Sequence, residues 1–282
     1  MKTPITILVP TDFSAASRAG IRFAVQWARR QKAKILLVHV MGIVRMTRWS
    51  PQQFEVFAAE QRRLALDRLR RLAADVCRKM RVKRQDISTV VIEGMSADVS
   101  LLDFSKSRKD IDLICMGTRG AGRIRKVLGT HTGNLILHSA IPVVAVPAGY
   151  RNRPVKRILY AADLETQGHE LQQAVSIARD LKASLAVTHI AWRGEAILDT
   201  GFMGRVWSEQ YGYPVAMRYE PADSSLSVAD NLNMVIRRRK PSLVIMYTNR
   251  ERTGFERLFF PSQAEGLSFK TNVPLLVLGK VE

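Results

Sequence analysis

A glycine-rich segment, CMGTRGAGRIRKVLGT, carries small residues and cations in a spacing suited to binding a phosphate group. Gly117, Gly120 and Gly122 stand where a buried strand would turn toward a helix. Glycine accepts positive φ angles, and without a side chain its main-chain N–H can approach an anion. Gly129 and Thr130 then precede HTGNLILHSA, which has the pattern of a helix. Because the free N–H groups of a helix start bind anions, the segment predicts a phosphate site.

A carboxylate follows the first predicted strand, at a position where parallel sheets commonly bind ligands. Asp12 follows ITILVP, a continuous apolar run rich in β-branched residues, which predicts a strand buried on both faces. In open parallel sheets, ligands bind beyond the carboxyl ends of the strands. We therefore predict that Asp12 faces a ligand. The alternative role of Asp12 is to cap the next helix, for which Ser14 is the predicted N-cap.

Buried strands alternate with helices around these residues. After the first strand, the runs KILLVHV, TVVIEG, DLICMG and IPVVAVP predict four more strands. A helix is predicted from about Phe54 to Met80, and another follows Ser14. This alternation predicts an α/β fold with a parallel sheet that is covered on both faces.

The second half of the chain repeats the order of the first. KRILYAADL matches ITILVPTDF, which places Asp163 opposite Asp12, and a later match places His189 opposite His39. Two domains, 1–150 and 151–282, fit the length of 282 residues. Both histidines lie inside apolar strands, so we predict that they are buried and hydrogen-bonded rather than catalytic.

These motifs stand in a familiar order. VPTDFSAAS, LLVHV, VIEG and MGTRG…LGT resemble the universal stress protein family, and the resemblance covers nearly all of both halves. It implies two tandem doubly wound parallel five-stranded sheets of the adenine nucleotide alpha hydrolase-like type. The last strands of the two sheets would pair within the chain as a pseudo-dimer. The nucleotide-binding branch of the family has Gly-x2-Gly-x9-Gly-Ser/Thr, whereas eight residues separate Gly120 from Gly129 here.

The resemblance implies that the first half binds ATP or a related adenine nucleotide, with Mg²⁺ held by phosphate oxygens and water. The adenine and ribose end would contact the end of the first strand and the main chain after the second strand. The ribose and phosphates would lie along the glycine-rich segment. The implied nucleotide-binding residues are Pro10, Thr11, Asp12, Val40, Met116, Gly117, Arg119, Gly120, Gly129, Thr130, His131 and Thr132.

The matching segment of the second half, MYTNRERTGFERLFFPSQAEGL, lacks this pattern. Tyr247 stands in place of Gly117, Arg250 in place of Gly120, and Pro261-Ser262 in place of Gly129-Thr130. Side chains then fill the space that a phosphate needs, and proline has no N–H to donate. We predict that the second half has lost nucleotide binding.

The formal charge of +19 is concentrated in the first half. Residues 1–150 hold 26 Lys and Arg against 11 Asp and Glu, which gives +15, whereas residues 151–282 hold 18 against 14, which gives +4. This surplus favours an anionic partner. The basic segment QRRLALDRLRRLAADVCRKMRVKR predicts a solvated outer helix, with nucleic-acid or membrane binding as the alternative.

Several classes of site and compartment are disfavoured. No apolar run approaches the roughly 20 residues of a transmembrane helix, so we expect no transmembrane segment and a cytoplasmic protein. Cys77 and Cys115 are expected to be reduced, and no Cys/His spacing predicts a metal site. Neither a G-x-S-x-G turn nor a Walker Gly-Lys-Ser/Thr motif is present. We therefore expect no catalytic residues and, at most, slow ATP hydrolysis by a bound water.

Two hypotheses of function follow from these patterns. The favoured one is a cytoplasmic stress-response regulator or sensor that binds an adenine nucleotide in its first domain, with two tandem chains forming a homodimer. The alternative is a scaffold without a nucleotide, whose paired domains bind a protein, a nucleic acid or an anionic membrane through the basic first half.

Overall fold

The computed structural model describes residues 5–43, 48–118, 130–164, 168–248 and 272–279. Strands and helices alternate through the first half as the sequence predicted. The strands are β1 Thr6–Pro10, β2 Lys34–Met41, β3 Ile87–Glu93, β4 Leu113–Thr118 and β5 Val143–Pro147, and the helices are α1 Ala15–Gln31, α2 Pro51–Met80, α3 Ala97–Ser107 and α4 Thr130–His138.

The second half repeats this order with shorter helices. Its strands are β6 Arg157–Ala161, β7 Ser184–Ala191, β8 Val215–Pro221, β9 Leu243–Thr248 and β10 Leu275–Gly279, and its helices are α5 Gly168–Leu181, α6 Thr200–Tyr211 and α7 Val228–Arg239. The largest difference lies after the second strand of each half, where α2 has 30 residues and α6 has 12.

The ten strands form one sheet in the order β3-β2-β1-β4-β5-β10-β9-β6-β7-β8. Within each half all pairs are parallel, and the last strands of the two halves pair antiparallel, with Val144 opposite Leu276. The predicted α/β fold and the pairing of the last strands within the chain are confirmed. Because β5 and β10 run in opposite directions, the carboxyl edges of the two half-sheets face opposite ways.

Helices cover both faces of this sheet. On one face, α1, α2, α5 and α6 bury residues such as Phe23, Leu69 and Trp207 against the strands. On the other face, α3, α4 and α7 bury residues such as Leu101 and Leu135. The sheet is therefore doubly wound, as predicted. In the described ranges no helix is long and apolar enough to cross a membrane.

Local signals in the sequence fix where the first two helices begin. The Ser14 hydroxyl accepts a hydrogen bond from the Ser17 N–H at 3.2 Å, which confirms the predicted N-cap of α1. A reciprocal capping box between Ser50 and Gln53 starts α2 at Pro51, three residues before the predicted Phe54.

A close contact between two main chains joins α1 to β4. A Cβ atom on Gly117 would lie 1.9 Å from the Ala16 carbonyl oxygen, and one on Gly20 would lie 2.7 Å from the Gly117 nitrogen. Both glycines are therefore required by packing. The prediction that Gly117 forms a turn with positive φ is wrong, because Gly117 lies within β4 and has no positive φ.

We expect Gly117→Ala to lower the free energy of unfolding by about 2 kcal/mol or more, because the added methyl group forces α1 away from β4. Gly149→Ala is the matched control, since a Cβ there has no atom within 4 Å. The control should change the stability by less than about 0.5 kcal/mol. Urea denaturation measures both variants, and equal stabilities would contradict the contact.

Candidate functional site

The residues at the carboxyl ends of β1 and β4 form the candidate site. Pro10 is the last residue of β1, Thr11 and Asp12 follow it, and β4 ends at Gly117 and Thr118. The two strands are neighbours in the sheet. The chain leaves β1 toward β2 on one side and later reaches β4 on the other, which opens a crevice at this edge.

Thr11 builds the turn that leads from β1 to α1. Its N–H donates to the Val38 carbonyl at 2.8 Å, and its hydroxyl accepts from the Phe13 N–H at 3.0 Å. The same hydroxyl lies 3.0 Å from the Ser17 hydroxyl. Thr11 is buried, so its side chain shapes the turn and does not reach solvent.

Two aromatic rings pack against each other beside this turn. Phe13 has a φ of 64°, and its ring lies 4.6 Å from the His39 ring. The guanidinium of Arg68, on α2, lies 4.1 Å above the Phe13 ring, a cation–π contact. The Nδ1–H of His39 donates to the Thr11 carbonyl at 2.8 Å, which confirms the predicted hydrogen bond. The prediction that His39 and His189 are buried is wrong: both are half-buried, because each lies just beyond the end of the neighbouring strand.

Asp12 is the exposed carboxylate of the site. Partial burial opposes its ionisation, but hydrogen bonds from the hydroxyl and N–H of Ser14, and from Ser17, outweigh this effect. The pKa of Asp12 is therefore lowered, and the Ser14 N–H lies 3.0 Å from Oδ1. At neutral pH the side chain is an anion that can only accept hydrogen bonds.

The main chain of Val40 faces the side of the sheet where β1 has ended. The Val38 carbonyl accepts a hydrogen bond from the Thr11 N–H, so Val38 presents its main-chain groups to β1. Alternate residues of a strand present these groups to the same side. Val40 therefore presents an N–H and a carbonyl to the crevice just beyond Asp12.

The other predicted site residues do not all lie at the crevice. Met116 is buried in the core beside α3 and α4, and Thr132 is buried within α4. The end of α4 lies close to the amino end of β5, which follows it. The first residue of α4, Thr130, therefore lies toward the carboxyl edge of the sheet. Arg119, Gly120 and Gly129 lie outside the described residues, as do the side chains of Thr130 and His131.

A buried carboxylate ties α4 to α3. The Asn134 amide donates to Asp98 Oδ2 at 2.5 Å, and the Ser96 hydroxyl donates to the other oxygen of Asp98. Asp98 is buried in the first turn of α3. This pair fixes the position of α4 relative to α3. Neither residue is predicted from the sequence, because the bond joins residues 36 positions apart.

Three further residues of the site, Phe13, Ser17 and Arg68, are not predicted from the sequence. Ser17 could have been found, since it stands three residues after the predicted N-cap and contributes a second hydroxyl to the turn. Arg68 could not, because its contact with Phe13 depends on the rotation of a helix that begins 38 residues later.

The second half has the same turn but a different strand end. Leu164 has a φ of 65°, like Phe13, and the His189 Nδ1 lies 2.9 Å from the Ala162 carbonyl. The position of Gly117 is taken by Tyr247, whose hydroxyl donates to the Glu170 carbonyl at 2.8 Å.

The hydroxyl of Tyr160 donates to Glu170 Oε2 at 2.6 Å, beneath the ring of Tyr247. Burial, and then the neighbouring Glu170, raise the pKa of both tyrosines, so both stay protonated. Bulky side chains therefore fill the place where α1 and β4 touch in the first half. The predicted replacements at Arg250 and Pro261-Ser262 lie outside the described residues.

We expect Ser14→Ala to raise the pKa of Asp12, because the variant loses a hydroxyl that stabilises the carboxylate. A depressed folded-state pKa stabilises the protein at neutral pH, and this contribution disappears as the pH falls through that pKa. The stability of Ser14→Ala should therefore fall less steeply on acidification. Carboxyl ¹³C NMR titration measures the pKa directly. Ser107→Ala, on an exposed helix end, is the control, and an unchanged Asp12 pKa in Ser14→Ala would contradict the account.

Comparison with known proteins agrees with this fold. The chain is 32% identical over 151 residues to a universal stress protein of Mycolicibacterium smegmatis, a match that covers 51% of this chain and 48% of the relative. The chain thus spans about half the length of the curated relative that it matches. Among solved structures, a universal stress protein of Archaeoglobus fulgidus shares the fold with a TM-score of 0.73 and 18% identity, over 97% of this chain and 98% of that one.

A model of the universal stress protein family matches residues 5–147, which include every strand of the first half. That range is half of the chain, and the same strand order recurs in the second half. The chain belongs to the universal stress protein family.

Proposed function

We propose that the first half binds an adenine nucleotide, ATP in the first place, and that the protein acts as a stress-response regulator in the cytoplasm. The observation that carries this proposal is the ionised Asp12 together with the main chain of Val40, which faces the crevice between β1 and β4. Residues 1–150 would form the nucleotide-binding domain, and residues 151–282 a domain that has lost the site.

The two groups match the adenosine part of the ligand. An N–H beside a carbonyl on Val40 complements the acceptor and donor on the edge of adenine. The anionic Asp12 accepts hydrogen bonds from ribose hydroxyls, and such bonds to a charged group are stronger than neutral ones. Both groups lie on the same edge of the sheet, so one nucleoside can contact both.

The phosphates would extend from the ribose toward the start of α4. The N–H groups of its first turn, at Thr130, have no partner within the helix and favour a negative charge. The hydrogen bond between Asn134 and Asp98 attaches α4 to α3. When the nucleotide is bound, Mg²⁺ would be held by phosphate oxygens and water; the described residues contain no group of three or more His, Cys, Asp or Glu arranged for a metal.

The chemistry of Asp12 favours binding over catalysis. Its lowered pKa makes it a weak proton acceptor at neutral pH, whereas a general base works best with a pKa near the operating pH. A regulatory role, with at most slow hydrolysis, therefore fits the site better than an efficient ATPase.

The exposed charges of α2 support the interpretation of a solvated outer helix. Arg63 pairs with Glu60 at 2.7 Å, Lys79 pairs with Asp75 at 2.7 Å, and Arg62 pairs with Glu93. Cations that already have carboxylate partners on the same surface offer less attraction to a nucleic acid or an anionic membrane. This pairing weighs against the scaffold alternative.

We expect the full-length protein to bind a fluorescent ATP analogue in Mg²⁺ at submillimolar concentration. Asp12→Asn should weaken binding by about tenfold or more, since a hydrogen bond to a charged group contributes about 1.5–3 kcal/mol. The matched control is Asp163→Asn, at the equivalent position of the second half, and it should leave the affinity unchanged. The proposal fails if the wild type does not bind, or if both variants weaken binding equally.

A further inference from the structure

The two histidines at equivalent strand ends of the two halves have different neighbours. The Nδ1 of His39 lies 2.8 Å from the Thr11 carbonyl, and the Nδ1 of His189 lies 2.9 Å from the Ala162 carbonyl. The second nitrogen of His189 faces a carboxylate, since Nε2 lies 3.3 Å from Glu195 Oε2. Among the described residues, no carboxylate has such a contact with the His39 ring.

The contact between His189 and Glu195 holds a short segment, residues 192–197, against the end of β7. Glu195 Oε2 also accepts a hydrogen bond from the Trp192 N–H at 2.7 Å, and the Glu195 N–H donates to the Trp192 carbonyl at 3.1 Å. Gly194, which lies between them, has a φ of 92°, a conformation that favours glycine. The segment therefore turns back on itself, so that one carboxylate oxygen contacts both the turn and the histidine.

The protons of the His189 ring decide whether this contact is favourable. A carbonyl oxygen can only accept a hydrogen bond, so Nδ1 carries a proton when it bonds to Ala162. Glu195 is ionised at neutral pH, because the hydrogen bond from the Trp192 N–H lowers the pKa of its carboxyl, and an ionised carboxylate can likewise only accept. In a neutral ring the Nε2 lone pair therefore points at an acceptor. The contact is favourable when both nitrogens carry protons and the ring is a cation.

The elements packed around the ring contribute mainly aromatic and apolar groups. The ring of Tyr219, on β8, lies 5.7 Å from the His189 ring at an angle of 83°. Met203 of α6 packs on the same face of the sheet. Arg218 and Glu220 precede and follow Tyr219 in β8, so they point to the opposite face.

Two other acidic residues lie at this end of the half-sheet. Asp163 is in the turn after β6, and Glu170 begins α5, where its Oε2 accepts the Tyr160 hydroxyl. Neither is hydrogen-bonded to the His189 ring. Glu195 is therefore the carboxylate that responds to the charge of the ring.

The sequence also separates the two halves at this position. Glu195 stands six residues after His189, whereas Arg45 stands six residues after His39. A cation cannot accept a hydrogen bond from a charged imidazole. In the first half, the His39 ring packs against Phe13 instead. The paired carboxylate thus belongs to the half that we propose has lost nucleotide binding.

We propose that residues 192–197 form a pH-sensitive latch. When the His189 ring carries both protons, it donates to the Ala162 carbonyl and to Glu195, and the latch is closed against the end of β7. When Nε2 gives its proton to water, its lone pair faces the carboxylate and the latch opens. Histidine ordinarily changes its charge between about pH 5 and pH 8, so the latch responds in that range. The latch does not involve the crevice between β1 and β4, so it is independent of the proposed nucleotide binding.

The contacts that follow the latch limit how far the opening extends. The Leu198 N–H lies 3.3 Å from the Tyr219 hydroxyl, and Asp199 caps α6 by accepting from the Gly201 and Phe202 N–H groups. These bonds do not depend on His189. Opening therefore frees the turn that holds Trp192 and leaves α6 in place.

Solvent-exchange NMR of the full-length protein at about pH 5.5 and about pH 8 tests the proposal. The protection factor of the Trp192 amide, which corrects for the direct effect of pH on exchange, should be lower at the higher pH by about threefold or more, as expected for an exposed ion pair. The Met203 amide, which donates to the Asp199 carbonyl in the first turn of α6, is the internal control. Its protection should be the same at both pH values.

Glu195→Gln separates the latch from other effects of pH. A primary amide accepts from a protonated nitrogen and donates to an unprotonated one, so the Trp192 protection should no longer depend on pH in this variant. Glu209→Gln, on the exposed surface of α6, is the matched control and should keep the wild-type dependence. Urea denaturation checks that both variants are folded. Equal Trp192 protection of the wild type at the two pH values would overturn the proposal, as would a Glu195→Gln variant that keeps the wild-type dependence.

Discussion

The contact between the main chains of α1 and β4 is the constraint on which the first-half site depends. Two glycines, Gly20 and Gly117, bring the helix so close to the end of the strand that a single methyl group would collide with the backbone. This contact fixes how closely α1 approaches β4, and so it positions the turn that carries Thr11 and Asp12. The crevice is therefore shaped first by packing, and the polar groups of the site are positioned as a consequence.

The second half shows what happens when this constraint is absent. Tyr247 replaces Gly117, and with Tyr160 and Glu170 it forms a hydrogen-bonded cluster in the interior. The turn after the strand keeps the same positive φ and the same histidine contact, so the fold tolerates the change. The two halves thus have the same backbone conformation at this turn but differ in the space left at the strand ends. One fold can then carry a ligand site in one half and a packed core in the other.

The sequence predicted most of the strands and the repeat, because buried parallel strands leave continuous apolar runs that are easy to recognise. The pairing of the last strands was implied only by the family resemblance. The sequence also located Asp12 and the cap at Ser14. It did not reveal that Gly117 is required by α1, since a sequence cannot show which distant backbone a glycine touches. The contacts of Arg68 and the tie between Asp98 and Asn134 were missed for the same reason, because each joins elements far apart in the chain.

The central claim is that only the first half holds a nucleotide, although both halves have the same strand order. Native mass spectrometry of the full-length protein with increasing ATP and Mg²⁺ counts the ligands on each chain directly. The account predicts saturation at one nucleotide per chain, whether the protein is a monomer or a dimer. Two nucleotides per chain would show that Tyr247 and Glu170 do not block the second half, and none at saturating ligand would contradict the role assigned to Asp12 and Val40.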